Sequence, residues 1–138
     1  MDIVFPTSEH VFMWLKAYHF GDKDVMEQIA SVKHPAEAKK LGRLIKDYDD
    51  NKWKTLREGA MYTAVLLKFQ QNHELWEQLK ATGNRILVEA SPTDKIWGVG
   101  LAEDDERILD EKNWQGLNLL GKTLMMVRNV GSIFDAVP

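Results

Sequence analysis

The sequence predicts an α+β fold, predominantly helical with a small sheet. Three observations lead there. Apolar residues recur at helical spacing over most of the chain. None of the four prolines interrupts a long periodic stretch. Only Ile86-Leu87-Val88 has the short, β-branched character of a strand. At 138 residues the chain is expected to form one domain, 1–138, able to bury its own core.

Pro6-Thr7-Ser8-Glu9 reads as a helix start. Thr7 or Ser8 can cap, and Glu9 sets a carboxylate at the positive end of the dipole. This helix is expected to run to Phe20 and stop at Gly21-Asp22. A second spans Asp22–Ser31. A third begins at His34-Pro35, where proline suits the first turn, and carries Ala36, Leu41, Leu44 and Ile45. After a polar break at Asp47–Asn51, a long helix is expected over Lys52–Gln71, then another over His73–Thr82. Gly83-Asn84 turns the chain into the strand. Ser91–Gly100 reads as a loop, Asp104–Lys112 as charged surface, and Gln115–Asn129 as the last helix, with a tail at 131–138.

Composition narrows the chemistry. The chain has no cysteine, which excludes disulfides, thiolate metal sites and cysteine nucleophiles. A formal charge of −3 gives no global basic field for nucleic acid. No positive n-region leads into an apolar stretch, and Ala60–Leu67 is too short to span a bilayer. A cytoplasmic protein without membrane contact is the expectation. Its oligomeric state is open.

Two motif matches fail on their surroundings. Gly116–Thr123 fits G-x4-G-K-[ST], but Leu-Asn-Leu-Leu inside it favours helix over a phosphate-wrapping loop, and Asp110–Gln115 is too polar for the feeding strand. An amphipathic helix with Gly121 at a close packing contact is expected instead. Asp47, Asp49, Asn51 and Glu58 fall at positions 1, 3, 5 and 12 of a calcium loop, but Lys52 stands where the sharp turn needs glycine. There the aspartates are expected to cap the next helix. His10, His19, His34 and His73 lack metal-ligand spacing and read as surface or packing residues, so neither metal nor cofactor is expected.

A longer ordered set remains. It contains Phe5-Pro6-Thr7-Ser8-Glu9-His10, Lys16, Trp53, Lys68-Phe69 and Thr82-Gly83. It continues through Leu87-Val88-Glu89-Ala90, Asp94, Trp97-Gly98-Val99-Gly100, Asn118-Leu119-Leu120-Gly121 and Arg128. From Phe5 to Arg128 this resembles the NADAR family, also called YbiA-like, and Leu87–Gly100 is the most specific part. Relative to the family pattern, the chain is expected to start after an N-terminal F-L-S-N-F-like stretch.

The resemblance implies a single compact YbiA-like domain that cleaves an N-glycosidic bond between ribose and a nitrogen base. Two substrate classes go with it: phosphorylated ribosylamino-pyrimidines of riboflavin synthesis, and ADP-ribose attached to a nucleobase, notably guanine. The partner it implies is a small nucleotide or ADP-ribose-type ligand, free or carried on ADP-ribosylated nucleic acid. The catalytic set it implies is Glu9, Lys16 and Asp94, with Trp53, Glu89, Trp97, Gly98, Asn118 and Arg128 binding substrate. The residue types suit the task. Cleavage builds positive charge on the anomeric carbon and negative charge on the leaving base. Glu9 and Lys16 lie two helical turns apart, about 10 Å along one face. The resemblance favours Lys16 for a Schiff base. Asp94 can bind ribose hydroxyls or act as base, and Trp53 and Trp97 can sandwich a flat base. Gly98 and Gly100 permit close backbone approach, while Arg128, Lys68 or Lys122 can meet a phosphate.

Each residue also has a structural account. Glu9 can serve only the helix start and Lys16 only solvent. Either Trp can be core, Glu89 can be exposed or pair with Arg85, and Asn118 can cap or pack. The same set would also serve a module that holds such a ligand without cleaving it. A partner domain using exposed apolar surface is the third reading.

Overall fold

A computed structural model describes residues 3–131. The chain divides between Gln71 and Asn72 into two compact units.

The first unit holds four helices: α1 (Ser8–His19), α2 (Lys23–Ser31), α3 (Pro35–Gly42) and α4 (Asp50–Gln70). α1 packs against the other three. Thr7 caps α1 by accepting from the His10 N–H, and its hydroxyl meets His10 Nδ1 at 2.7 Å. His10 is fully buried, and its Nε2 donates to the Val32 carbonyl at 3.0 Å, so it is a packing histidine. The core of this unit gathers Phe12, Met13, Ala17, Val25, Ile29, Ala38, Ile45, Trp53, Ala60, Met61, Ala64 and Val65. α3 stops at Gly42, earlier than Leu44 and Ile45 suggest, and Leu44 is exposed. Gly42 is a close packing contact: a Cβ there would force the Met13 thioether to move. Asp49 caps α4 by accepting from Asn51 and Lys52 N–H, the capping role expected in the would-be calcium loop.

Asp22 is the polar pin of this unit. Its carboxylate accepts from Val25 N–H at the start of α2 and from Lys46 N–H at 2.9 Å. The Lys46 hydrogen bond, then the Val25 one, holds its pKa below the ordinary value. A folded-state pKa below the unfolded one means the stabilisation is complete above about pH 4 and fades as pH falls through the folded value. Asp22→Ala is therefore expected to lower Tm at neutral pH, with the gap to wild type narrowing in acid. Thermal melts across pH 2–7 check this. A gap that widens toward low pH would contradict it.

The second unit holds α5 (His73–Ala81), two short 3-10 turns at Glu106–Leu109 and Glu111–Asn113, and α6 (Leu119–Val130). Trp76, Leu79, Val99, Leu101, Leu119 and Val127 are its buried apolar residues. The charged segment around Asp105 is surface, where Asp105 caps the first 3-10 turn and pairs with Arg107 at 2.7 Å.

The small sheet of the α+β expectation is not present: among the described residues no strand is formed. Ile86–Val88 forms no strand, and a side chain takes the place of a neighbouring one. Asn118 Nδ2 donates to the Leu87 carbonyl and its Oδ1 accepts from Glu89 N–H, both at 2.9 Å. The Glu89 carbonyl then accepts from Val99 N–H. The Leu87 carbonyl and the Glu89 N–H and carbonyl, met this way, need no strand partner. Ile86 is left 65% exposed, which a central strand would not tolerate.

α6 begins four residues later than expected, for a related reason. Gln115, Leu117 and Asn118 N–H donate to the carbonyls of Val99, Lys95 and Gly98. Gly116 lies against the Gly98 carbonyl, where a Cβ would clash. Gly121 sits in the first turn of α6, against the Leu87 carbonyl and the Asn118 amide. That is the close packing contact expected of it. The first N–H groups of α6, at Leu119 and Leu120, donate to Ile96 and Trp97 carbonyls, so the helix start is closed by protein. Among the described residues no helix is long and apolar enough to cross a membrane.

Candidate active site

In the first unit the structure gathers chemistry around Lys16. Its ammonium donates to the Gly42 carbonyl at 3.1 Å. That carbonyl closes α3, where the helix dipole favours a cation. Nζ also lies over two aromatic faces, 4.6 Å from the Tyr48 ring centre and 5.8 Å from that of Trp53. Lys16 is therefore partly buried and held, not a solvated surface residue. Burial lowers its pKa from the ordinary lysine value. Asp50 opposes that shift and Arg43 adds to it.

Trp53 is mostly core, 7% exposed, with its ring 5.4 Å from Phe12 and 6.5 Å from Phe20. It belongs to a stripe on α4. Asp50, Trp53 and Arg57 stand at i, i+3 and i+7, one face of the helix. Asp50 accepts from the Tyr48 hydroxyl at 2.8 Å and pairs with Lys54 at 3.3 Å. These two bonds hold its pKa below the ordinary value. Shielding from water, then the bond to Asp50, pushes the Tyr48 phenol up to about 12. Tyr48 thus stays protonated at any working pH and acts as a fixed donor and aromatic wall. Glu9 lies in the first turn of α1, two turns before Lys16.

Tyr48, Asp50 and Arg57 escape sequence reasoning. Their relation to Lys16 comes from α1 packing on α4, and only the 50/53/57 spacing hints at it. The charges make a test possible without any substrate. Competitive acetylation across pH, read by mass spectrometry, is expected to show Lys16 reacting at lower pH than an ordinary exposed lysine. Asp50→Asn removes a charge that favours the ammonium, so the Lys16 curve moves further down. Arg43→Gln moves it up. An upward shift in Asp50→Asn would contradict the arrangement.

The remaining sequence-chosen residues lie in the second unit. Asp94 Oδ1 accepts from Ile96 and Trp97 N–H at 3.0 and 2.9 Å, and Asp94 N–H donates to the Ser91 hydroxyl. This carboxylate therefore folds the loop that carries Trp97. Gly98 is buried. A Cβ there would come within 2.8 Å of the Asp94 carbonyl and 3.0 Å of the Glu89 carbonyl, so its close approach is to the loop itself. Glu89 is partly buried and hydrogen-bonded through its backbone to Asn118 and Val99. Asn118 is 1% exposed, with a left-handed φ of 52° and both amide atoms bonded to 87–89. It positions that segment. Arg128 donates from one terminal nitrogen to Thr82 Oγ1 and the Arg85 carbonyl, both at 2.9 Å, tying α6 to the end of α5. The structure thus joins Lys16 with Trp53 in one unit, and joins Glu89, Asp94, Trp97, Gly98 and Asn118 through one hydrogen-bonded loop in the other.

The family model for the NADAR domain matches residues 1–130. Protein irg-1 of Caenorhabditis elegans is 44% identical over 126 residues, covering 90% of this chain and 59% of that protein. N-glycosidase R617 of Acanthamoeba polyphaga mimivirus is 38% identical over 122 residues, covering 88% of this chain and 72% of the viral one. The NMR structure of the E. coli protein YbiA superposes with a TM-score of 0.72 at 33% identity, covering 91% of this chain and 67% of that one. The chain belongs to the NADAR domain family, which includes such N-glycosidases.

Proposed function

We propose that this chain is an N-glycosidase that cleaves the bond between a ribose and a nucleobase-like amine, with Lys16 as nucleophile. The observation that carries the reading is the Lys16 amine itself. It is positioned by Gly42 and two aromatic faces, and burial lowers its pKa, the direction that favours the free amine a nucleophile needs. The substrate classes follow from the family resemblance: a ribosylamino-pyrimidine phosphate or a guanine-linked ADP-ribose.

The chemistry balances as follows. The neutral amine attacks the anomeric carbon. The glycosidic bond breaks, and its electron pair leaves on the base nitrogen, which takes up a proton. The nitrogen sheds a proton, the ring oxygen departs and is protonated, and an iminium forms. Water adds to the carbon, the amine leaves, and the sugar closes. The aromatic faces of Tyr48 and Trp53 suit the cationic stages, because their quadrupoles attract positive charge shielded from water. Glu9, on the same helix, is the carboxylate we assign to proton transfer.

Incubation with each substrate class, followed by mass spectrometry of released base, tests the reading. Base released from either supports it and names the substrate. Intact substrate in both, with ligand bound stoichiometrically, would replace it with a binding module.

A further inference from the structure

A second cation, Arg57, acts through its charge on Tyr48 and Asp50, the two residues that border this amine. Arg57 Nε is buried and has no hydrogen-bond partner, and the side chain makes no hydrogen bond or ion pair among the described residues. A guanidinium carries five donors in a fixed fork, and a buried Nε–H left unmet is unfavourable, while the residue as a whole stays partly exposed. The other arginine with a buried Nε, Arg128, differs: its terminal nitrogen already donates twice to protein. The nearby carboxylate does not supply the acceptor either. Asp50 feels the charge of Arg57, yet its bonds go to Tyr48 and Lys54.

The position is equally specific. Arg57 is one turn beyond Trp53 on the α4 stripe, and Trp53 borders the Lys16 ammonium at 5.8 Å. A planar, partly desolvated fork without an acceptor is the group that recognises a phosphate through two parallel hydrogen bonds. We propose that Arg57 binds the 5′-phosphate of the sugar whose anomeric carbon Lys16 attacks. The inference rests on the glycosidase reading above. It deepens that reading by giving the site a phosphate requirement common to both substrate classes.

The test uses two aldehyde sugars, ribose 5-phosphate and ribose, each with cyanoborohydride, and peptide mapping of the adduct at Lys16. The full chain is expected to trap the phosphorylated sugar at least about tenfold faster, a modest yield for one bidentate phosphate contact. Arg57→Gln is expected to bring the ratio to near one, and Arg57→Lys to retain part of it. A simple structural role would move Tm and leave the ratio unchanged, so melts accompany each variant. Equal trapping of both sugars at Lys16 by the wild type would overturn the phosphate assignment and leave the glycosidase reading standing. So would a ratio preserved in Arg57→Gln. Trapping of neither sugar at Lys16, with no base released from substrate, would sink both.

Discussion

Replacing Lys16 with alanine is expected to abolish base release while leaving the fold nearly as stable as before. The rate should fall at least about a thousandfold, because the variant has lost the bond-forming atom and not merely an orienting contact. Stability should change little because the side chain is a mixed asset. It makes one hydrogen bond to Gly42 and two aromatic contacts, each of order 0.5–1 kcal/mol, and it holds a cation partly out of water. The net effect is about 1 kcal/mol, a few degrees in Tm. Lys16→Arg sharpens the test. Arginine keeps the charge and the aromatic contacts but cannot form an imine, so it should be as inactive as alanine. Activity surviving in either variant would remove the nucleophile role.

The largest effect on stability is expected from Asn118→Ala. That change deletes both amide bonds to the 87–89 segment and leaves the Leu87 carbonyl and Glu89 N–H without their partner. It also puts alanine at a left-handed φ of 52°, which asparagine tolerates better. Together these terms come to about 2–4 kcal/mol. Asn118→Gly removes the same bonds and relieves the backbone, so it should recover part of that loss. Denaturant titration of both variants checks this. A loss under about 0.5 kcal/mol for alanine would mean the amide does not stand in for a strand.

The same residue shows why the helices were legible in the sequence and the sheet was not. Helical periodicity, the Thr7 and Asp49 caps and the His73–Ala81 helix are local, set within a few residues. The pairing of 87–89 depends on a side chain about thirty residues away, and β-branched character at Ile86–Val88 carries no information about it. The late start of α6 has the same origin, since Gln115–Asn118 satisfy the carbonyls of 95–99 before the helix begins. For the candidate site, Lys16 and Trp53 could be chosen through their place in the family pattern. Tyr48, Asp50 and Arg57 could not, because their role appears only once α1 and α4 are packed and the hydroxyl of Tyr48 is seen donating to Asp50. Gly42 was equally silent: its carbonyl receives the Lys16 amine and its missing side chain admits Met13.

The most direct measurement of the central claim is a borohydride trap during turnover of guanine-linked ADP-ribose and of the ribosylamino-pyrimidine phosphate, with the modified lysine located by peptide mapping. The account predicts one sugar adduct on Lys16 and none on the exposed lysines. Released base with Lys16 unmodified, or an adduct on another lysine, would contradict it.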